Sequence, residues 1–494
     1  MIRVFTPGAE GKDVMTAAGL WRSSRYPLRV ESYDPARSEP IEVWIDVTGS
    51  APPHDTPGKV LAGVFGDAIE VCGVKKRPLD VLDLGAGKLR NTLYFLGLGH
   101  NVDAVEYETS QQTPQGQAAL QCARRFKKKN RFRRYVFPGE FVALDADYDL
   151  VLLINVINIM PVPCERLLVL LHCYRKLRPS GRLLWFTQYG DQAQNKLCME
   201  AYRIGDGYFL GETNNYKTFF RQFVVPEIDS MMLGCGFALD RIVRGAHKNQ
   251  ARLYRRLPTA PLDGVLDERT IEEAALCDWT MAPPALPAVA VAADGPVRSP
   301  DDPELSLPKL LLRRLRDLPA GRDSATAYEY LAACLIEYLF RDHLVNLQLQ
   351  ETTYQGRERI DFVLTNSARS GLFKNLVDSH GLRVPYVHFE CKNYGGDPKN
   401  TEFQQLRARL GGRKGEVGFI LCRRVHDPRS VLARQQDALD DDKLVLVLTD
   451  DDLETLVDLK LNEDEGGIHD VLDDKVREVV LKKAAKRSRS RRSP

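Results

Sequence analysis

The chain has 494 residues, of which 44% are hydrophobic and 28% are charged. These fractions are ordinary for globular proteins, so they exclude collagen-like and wholly disordered chains, and the length predicts two or three folded units. Lys and Arg number 69 against 67 Asp and Glu, and the formal net charge of +2 therefore neither favours nor excludes an anionic partner.

The apolar and cysteine patterns favour a cytoplasmic protein. The longest apolar stretch, residues 150–163, is too short to span a bilayer and contains Asn155 and Asn158, so we expect no membrane association. Residues 1–20 show no secretory signal pattern. The 10 cysteines are scattered without a C-x-x-C pair, which argues against a disulfide framework and against a structural zinc site.

Short apolar strands alternate with amphipathic helices between residues 79 and 258, a pattern that predicts an α/β fold with a doubly wound, Rossmann-like sheet. The seven expected strands are 79–84, 101–106, 134–137, 149–155, 182–187, 237–243 and 251–255. Residues 58–257 form the expected first domain. Residues 1–57 contain one further expected strand, 41–47, and are otherwise unassigned.

A change of composition marks the end of this domain. Residues 258–308 contain nine prolines and nine alanines with little periodicity, which predicts a linker. Beyond it a second α/β domain is expected over residues 309–480, followed by a basic, disordered tail over 481–494. The second domain has an expected helix at 325–340 and expected strands at 359–364, 386–392, 417–422 and 444–448.

A glycine-rich turn follows the first strand of the first domain. Residues 82–87 read Leu-Asp-Leu-Gly-Ala-Gly, and Gly85 and Gly87 precede an expected helix whose amino end favours negative charge. Glu106 lies 23 residues after Asp83, at the end of the next strand, where a carboxylate can bind two vicinal ribose hydroxyls. This pairing predicts a nucleoside cofactor. A dinucleotide is disfavoured because its motif requires glycine at Arg90.

Together with Tyr148-Asp149-Leu150-Val151, Asn155 and residues 177–184, this turn resembles the class I S-adenosylmethionine-dependent methyltransferases over roughly residues 58–257. The resemblance implies that S-adenosylmethionine is the cofactor. Asp83, Gly85 and Gly87 would hold its amino acid end, Glu106 its ribose, and Glu140 would lie near its adenine, with Asn155 also in the cofactor site. Leu89 stands where many members have a third glycine. The alternative is a doubly wound domain whose glycine turn holds no ligand.

Three features of this domain bear on a nucleic-acid acceptor. The motif of enzymes that methylate exocyclic amines of DNA bases is absent after the fourth strand, and Pro163-Cys164 resembles a nucleophilic Pro-Cys only weakly. Residues 124–134 hold eight basic residues, which could contact phosphates or form a solvated helix end. Residues 189–223 hold eight aromatic residues, which could stack a base or form the core of their own segment.

The second domain contains charged residues within apolar strands. Asp361 lies in the expected strand 359–364, and Glu390 and Lys392 lie two apart on the next strand, where alternation puts both on one face. Two carboxylates on adjoining strands can bind Mg²⁺, while an ammonium group beside them can activate water or stabilise charge. The alternative is structural ion pairing of Asp361 or Glu390 with Lys392.

This constellation resembles the PD-(D/E)XK nucleases, particularly the Mrr-like, restriction-endonuclease-like branch, over about residues 322–460. The resemblance implies that Asp361 and Glu390 bind the metal, that Glu329 on the preceding helix completes its site, and that Lys392 assists the attacking water. Glu337 is the rival for the helix position. Gln405 on the following helix would orient the site. Ile360 replaces the usual proline.

The two resemblances imply a bifunctional nucleic-acid enzyme: a Mg²⁺-dependent DNA endonuclease coupled to an S-adenosylmethionine-binding methyltransferase domain, in restriction or antiviral defence. DNA is the favoured partner, RNA is an alternative, and cutting both strands with one nuclease site would favour a homodimer. Two other functions remain open. One is an RNA methyltransferase with an attached nuclease, and the other is a nuclease switched by a cofactor-sensing domain without turnover.

Overall fold

The computed structural model describes residues 2–7, 13–15, 28–32, 41–45, 57, 59–73, 77–107, 110, 112–126, 131–187, 203–204, 207–213, 216–243, 250–267, 306–349, 352–353 and 358–481. The chain divides into two compact units, residues 1–310 and 311–494. In the described part of the chain, no helix combines the length and the apolar character needed to cross a membrane.

The first unit is an α/β structure with two sheets. Its strands are β1 (Ile2–Pro7), β2 (Asp13–Met15), β3 (Leu28–Ser32), β4 (Ile41–Ile45), β5 (Asp80–Leu84), β6 (Asn101–Val105), β7 (Phe132–Val136), β8 (Tyr148–Ile154), β9 (Leu177–Thr187), β10 (Arg203–Ile204), β11 (Gly207–Thr213), β12 (Tyr216–Phe220), β13 (Phe237–Val243) and β14 (Gln250–Arg256). Its helices are α1 (Lys59–Cys72), α2 (Arg90–Gly97), α3 (Pro114–Arg124), α4 (Pro138–Ala143), α5 (Pro163–Lys176) and α6 (Val225–Gly234).

The main sheet of the first unit has seven strands in the order β13-β14-β9-β8-β5-β6-β7. β5 pairs in parallel with both β6 and β8, and β14 lies antiparallel between β13 and β9. The prediction of a seven-stranded doubly wound sheet is thereby confirmed. From β5 the chain builds outward through β6 and β7, then returns to the other side of β5 to form β8. The strand order therefore reverses between β5 and β8, and the carboxyl ends of these strands form the crevice where such sheets bind ligands.

The central strands form because they are continuous apolar runs that both faces of the sheet can bury. Every residue of β5 and of β8 is buried. One core cluster packs α1 and α2 against this sheet through Phe65, Phe95, Leu152 and Leu184. Burying one such side chain stabilises the fold by about 1.5 to 3 kcal/mol.

The second sheet of this unit joins two distant segments of the chain. Its order is β10-β11-β12-β4-β3-β1-β2, so strands from residues 2–45 and from 203–220 belong to one sheet. The junction is a parallel pairing of β4 with β12, in which Trp44 faces Tyr216 and Ile45 faces Lys217. The N-terminal segment, which was unassigned apart from the strand at 41–47, therefore shares a sheet with the segment that follows β9.

The first unit extends beyond the expected start of the linker. Leu257, Leu262 and Leu266 are buried, the amide of Leu262 donates to the carbonyl of Gly234 over 2.9 Å, and the hydroxyl of Tyr174 donates to the carbonyl of Leu257 over 3.0 Å. The expected linker therefore begins with a segment, up to Leu266, that is buried and bonded to α5 and α6 through Tyr174 and Gly234. The rest of the expected linker, 268–305, and the tail, 482–494, lie outside the described residues.

The second unit contains one five-stranded sheet between helices. Its elements are α7 (Leu307–Asp317), which contains the boundary between the units, α8 (Ala325–Phe340), β15 (Leu344–Leu349), β16 (Thr352–Thr353), β17 (Glu358–Arg359), β18 (Phe362–Asn366), α9 (Leu372–Asp378), β19 (Tyr386–Lys392), α10 (Asn400–Arg409), β20 (Val417–Cys422), α11 (Pro428–Leu439), β21 (Leu444–Thr449), α12 (Asp450–Leu461) and α13 (Glu465–Leu481). The sheet order is β15-β18-β19-β20-β21. β15, β18 and β19 are antiparallel neighbours, whereas β19, β20 and β21 run parallel.

Aromatic rings fix the register of the central strands in this sheet. Phe362 stacks on Phe389 with ring centroids 4.7 Å apart, and Phe389 stacks on Phe419 at 5.1 Å. These three rings lie on one face, so the residues beside them in each strand lie on the other. The expected strand at 359–364 is interrupted in the structure, because β17 ends at Arg359 and β18 begins at Phe362.

Candidate functional site

The crevice of the first unit lies where β5 and β8 end. Gly85 and Gly87 adopt positive φ angles of 71° and 53°, which glycine adopts without a steric penalty. The amides of Gly85 and Ala86 both donate to the carbonyl of Val105 at the end of β6, over 2.9 and 3.0 Å. This turn brings the glycine segment across the carboxyl ends of β5 and β6, and Gly85 remains exposed.

Glu106 is a buried carboxylate directly after β6. Its Oε2 accepts the amide of Gly87, and its Oε1 accepts the amide of Tyr107 over 2.9 Å and the hydroxyl of Ser110 over 3.1 Å. Burial raises the pKa of Glu106, and these three hydrogen bonds oppose the rise. The carboxylate is thus fixed beside the glycine turn. Each carboxylate oxygen can accept about two hydrogen bonds, so Oε2 has capacity for another donor.

Asp83 is a buried residue near the carboxyl end of β5. Its Oδ2 accepts the hydroxyl of Thr92 on α2 over 2.7 Å. Burial raises the pKa of this carboxyl group. The side chain therefore joins β5 to α2 beneath the glycine turn.

The other two predicted cofactor residues have different surroundings. Asn155 ends β8 with a left-handed φ of 58°, and its amide donates to the carbonyl of Phe186 on β9 over 2.8 Å. Glu140 is exposed, and its Oε2 accepts the amide of Phe137 over 3.1 Å, closing the first turn of α4. Asn155 therefore borders the crevice, whereas the role of Glu140 beside adenine stays a prediction.

Val156, which no sequence motif singles out, narrows the crevice beside Gly85. A methyl group added at Gly85 would lie 2.6 Å from Cγ2 of Val156. Any side chain at position 85 would therefore collide with the residue that follows Asn155, which is a second reason for glycine in the turn.

The second unit brings three of the predicted nuclease residues together. Glu390 and Lys392 lie on the face of β19 opposite to Phe389, and Asp361 directly precedes β18, the strand that pairs with β19. Nζ of Lys392 donates to Oε1 of Glu390 over 2.7 Å. Oδ2 of Asp361 accepts the amide of Cys391 over 2.8 Å. Glu390 and Lys392 therefore share one face of β19, and the roles expected for these residues stay a prediction.

The carboxylates of this cluster change the pKa of the lysine beside them. Burial alone would lower the pKa of Lys392, but the carboxylates of Glu390, Asp361 and Glu402 outweigh burial and raise it. Lys392 is therefore an ammonium group at neutral pH. Glu402 on α10 belongs to the cluster although the strand pattern gave no reason to select it.

Arg409 is the second residue of the cluster that sequence reasoning missed. It lies at the end of α10, and its Nη1 binds Oε2 of Glu390. Both oxygens of Glu390 are thus engaged by cations, and its contact with Lys392 is the structural ion pairing that was the alternative to a metal site. The spacing of Glu402 and Arg409, seven residues apart on one helix, is the signal that could have found them, because such residues share a helix face.

Glu329 is a near neighbour of this cluster, whereas Gln405 is exposed on α10. Burial, and then the charges of Asp361, Glu329 and Glu390, raise the pKa of the Cys391 thiol well above its ordinary value, so Glu329 is a neighbour of the cluster. Glu337, its rival, is buried on the same helix but is absent from these charges. Gln405 is exposed on α10, on the face it shares with Glu402 and Arg409.

The cluster does not present a preassembled metal cage. Within the described residues, no three His, Cys, Asp or Glu side chains are arranged to hold one ion. Glu390 is engaged by Lys392 and Arg409 in this structure, so the joint binding of a metal by Glu329, Asp361 and Glu390 stays a prediction. Asp361 and Glu390 alone still match the donor chemistry of Mg²⁺, which usually takes one or two carboxylates and keeps several waters.

Cys164 and two of the aromatic residues that suggested nucleic-acid contact have structural roles in the first unit. Cys164 is fully buried in α5, a poor position for a nucleophile. Phe219 and Phe223 are buried, and Phe223 packs edge-on against Trp185 with centroids 5.9 Å apart. These rings therefore form core rather than a base-stacking surface. Residues 188–202 lie outside the described residues.

The basic stretch at 124–134 is only partly described, since residues 127–130 lie outside the described range. Arg133 donates to Asp80 over 3.0 Å and to Asp103 over 3.3 Å. Its charge is therefore used within the protein and is not available to a phosphate.

Comparison with known proteins gives structural similarities alone. No family model and no curated protein matches the chain. Solved structures that align with part of it include an S-adenosylmethionine-dependent methyltransferase from Clostridium acetobutylicum, with 12% identity over 41% of this chain and 93% of that chain and a TM-score of 0.31. A 1,6-didemethyltoxoflavin-N1-methyltransferase from Burkholderia thailandensis, solved with S-adenosylhomocysteine, has 20% identity over 46% and 96% and a TM-score of 0.28. A methyltransferase from Methanosarcina mazei has 14% identity over 41% and 99% and a TM-score of 0.32. Because these TM-scores are below 0.5, no conclusion rests on them.

Proposed function

We propose that the chain is a two-domain enzyme of nucleic acid, in which the first unit binds S-adenosylmethionine for methyl transfer and the second hydrolyses phosphodiester bonds with Mg²⁺. The observation that carries the proposal is the gathering of Asp361, directly before β18, with Glu390 and Lys392 on one face of β19. Such charges in strands are costly to bury unless they are paired with opposite charges or coordinate a ligand.

Cofactor binding in the first unit is supported by the crevice between β5 and β8. Two buried carboxylates, Asp83 and Glu106, lie at the ends of adjacent strands, with the exposed backbone of Gly85 between them. Oε2 of Glu106 would accept a ribose hydroxyl, and Asp83 would support the turn that holds the amino acid end of the cofactor. When bound, S-adenosylmethionine supplies an electrophilic methyl group on sulfur. The residues of this chain bind and orient it.

In the second unit, Asp361 and Glu390 would hold Mg²⁺, which supplies Lewis-acid charge when bound. The raised pKa of Lys392 supports the charge-stabilising role rather than the role of a base. An ammonium group cannot accept a proton from water, so Lys392 stabilises negative charge on the phosphate and orients the attacking water by hydrogen bonding.

Nucleic acid is proposed as the common substrate of the two units, with DNA favoured, and restriction or antiviral defence as the role. Either a homodimer or two successive nicks would cut both strands. The second candidate function is a nuclease controlled by cofactor sensing. It is favoured by the hydrogen bond from the Gly87 amide to Oε2 of Glu106. Through this bond, a cofactor that binds Glu106 would also act on the conformation of the glycine turn. An RNA methyltransferase with an attached nuclease is the third.

The test combines cleavage with methyl transfer. Supercoiled plasmid, linear DNA and RNA are incubated with Mg²⁺, with and without S-adenosylmethionine, and methyl transfer is followed with isotopically labelled cofactor. Lys392→Ala is expected to abolish cleavage, whereas Lys374→Ala, an exposed lysine of the same unit paired with Asp378, should leave it unchanged. Labelling of DNA that is lost in Asp83→Ala supports the bifunctional enzyme.

Other outcomes separate the alternatives. Label in RNA alone would favour the RNA methyltransferase. Cleavage that responds to cofactor while no acceptor becomes labelled would favour the sensor. Folded native protein that cleaves none of the three substrates would refute the nuclease assignment.

A further inference from the structure

Arg409 is positioned to compete with a metal ion for Glu390. Its guanidinium binds Oε2 of Glu390, and the two side chains are only 13% and 5% exposed. Lys392 holds the other oxygen, Oε1, over 2.7 Å. In such shielded surroundings the attraction between opposite charges is several times stronger than in water.

The carboxylates around Glu390 explain why Lys392 or Arg409 could exchange its contact with Glu390 for another partner. Glu390, Asp361 and Glu402 all act on Lys392, and Glu329 acts with Asp361 and Glu390 on Cys391. Lys392 and Arg409 are the cations in direct contact with Glu390. A divalent cation is attracted to this carboxylate-rich cluster, but it cannot share Oε2 with a guanidinium without bringing two positive charges together.

We propose that Arg409 exchanges partners, binding Glu390 before metal enters and a phosphate of the nucleic acid afterwards. This inference rests on the nuclease function proposed above. A planar guanidinium binds carboxylate and phosphate with the same two-pronged geometry, so one side chain can serve both partners. Arg409 is thereby a substrate-binding residue that only the metal-loaded site makes available.

The experiment measures binding of fluorescein-labelled duplex DNA to the full chain by anisotropy, in EDTA and in Ca²⁺, which occupies such sites without supporting cleavage. Arg409→Gln is expected to weaken binding about tenfold in Ca²⁺. The same substitution should have little effect in EDTA, where Glu390 already occupies the guanidinium. Arg407→Gln is the matched control, because Arg407 lies on the same helix and pairs with Asp441.

A second variant tests the exchange without metal. Glu390→Gln should free Arg409 and strengthen binding in EDTA severalfold, and Glu390→Gln combined with Arg409→Gln should lose that gain. Binding of Mn²⁺ by Arg409→Gln, followed by electron paramagnetic resonance, should be tighter than in the native chain, because the competing cation is gone. Circular dichroism melting verifies that each variant is folded, and Arg409→Lys provides a charge-preserving replacement.

The possible failures are distinguishable. Equal weakening by Arg409→Gln in EDTA and in Ca²⁺ would overturn the exchange and leave the proposed nuclease intact. No effect in either condition would make Arg409 a permanent structural partner of Glu390. Native protein that binds no Mn²⁺ and no DNA would remove the proposed function together with the inference.

Discussion

Arg77 binds Asp149 through two hydrogen bonds, from Nη1 to Oδ2 over 2.7 Å and from Nη2 to Oδ1 over 2.8 Å. Asp149 lies near the amino end of β8, where its Oδ2 also accepts the amide of Asp80 over 2.8 Å and its Oδ1 contacts Arg178 at 2.7 Å. One carboxylate therefore ties together the amino ends of β5, β8 and β9, opposite to the crevice.

This arrangement predicts loss of stability in acid. Burial alone would raise the pKa of Asp149, but hydrogen bonds from Arg77, the Asp80 amide and Arg178 lower it from 3.8 to about 2. The unfolded chain then binds the proton more tightly, so the contribution of Asp149 is complete above pH 3.8 and is lost as the pH falls towards 2. Asp149→Asn should lower the free energy of unfolding at neutral pH, and the difference from the native chain should shrink through that window.

Urea unfolding followed by tryptophan fluorescence measures the effect, because Trp185 is fully buried in β9 of the same sheet. Asp145→Asn, an exposed carboxylate of this unit, serves as the control and should give no such narrowing. Parallel stability curves for Asp149→Asn and the native chain down to pH 2 would contradict the prediction.

Leu89 gives a prediction about backbone strain. It stands at the third glycine position of the motif with a left-handed φ of 59°, and its side chain is 1% exposed. The left-handed conformation costs a non-glycine residue about 1 to 2 kcal/mol, whereas removing a buried leucine side chain costs about 2 to 5 kcal/mol.

Both Leu89→Ala and Leu89→Gly should therefore destabilise the first unit, and Leu89→Gly should be the more stable of the two by about 1 kcal/mol. This order is the reverse of that expected inside a helix, where alanine is the better residue. Urea unfolding of the two variants measures it. An alanine variant more stable than the glycine variant would show that residue 89 leaves the left-handed conformation.

The elements that the sequence predicted well are those with local signals. β5, β8, β19 and β20 are continuous apolar runs bounded by turn residues, and they appear within a few residues of the expected bounds. Asp83 and Glu106 could be selected because they end adjacent parallel strands, and Glu390 and Lys392 because alternation along one strand puts them on one face. Each of these inferences needs only a few neighbouring residues.

The features that escaped prediction depend on pairing across long stretches of chain. The sheet that joins β4 to β12 sets Trp44 opposite Tyr216, and no pattern within either short strand specifies such a partner. Arg409 was missed for a related reason. A basic residue in the last turn of a helix is ordinary, and its contact with Glu390 arises only from the packing of α10 on the sheet.

Arg423 gives a prediction about the support of the second unit. Its guanidinium donates to Asp450 and to Asn393, each over 2.8 Å, and lies 4.8 Å from the ring centre of Tyr328. Asn393 directly follows Lys392, so this network anchors the end of β19. Removing one partner of such a buried pair costs about 3 to 5 kcal/mol, because the other charge is left uncompensated.

Arg423→Met should therefore speed amide exchange in the peptide covering 417–422, as measured by hydrogen–deuterium exchange mass spectrometry on the full chain. Adding Asp450→Asn should recover part of the protection, since no charge then remains unpaired. Arg424→Met, at the adjacent exposed position, is the control. If the double variant exchanges faster than Arg423→Met, the coupling between Arg423 and Asp450 does not stabilise the fold.

The last prediction concerns cofactor binding by Glu106. It distinguishes two roles of this carboxylate, binding the ribose and holding the glycine turn through Gly87. If Glu106 accepts ribose hydroxyls, Glu106→Gln should weaken binding of S-adenosylhomocysteine about tenfold or more, because hydrogen bonds to a charged group contribute about 1.5 to 3 kcal/mol. Burial raises the pKa of Glu106 above its ordinary 4.5. Protonation should therefore begin at a higher pH than for an exposed glutamate, and affinity should fall as the pH falls through that raised value.

Isothermal titration calorimetry across the acidic range measures this dependence. The native chain should lose affinity with falling pH, whereas Glu106→Gln should be weak and nearly independent of pH. Glu70→Gln, an exposed glutamate on α1, should bind like the native chain throughout. Equal affinity in the native chain and Glu106→Gln would mean that the carboxylate serves only to hold Gly87, and the ribose would then need another partner in the crevice.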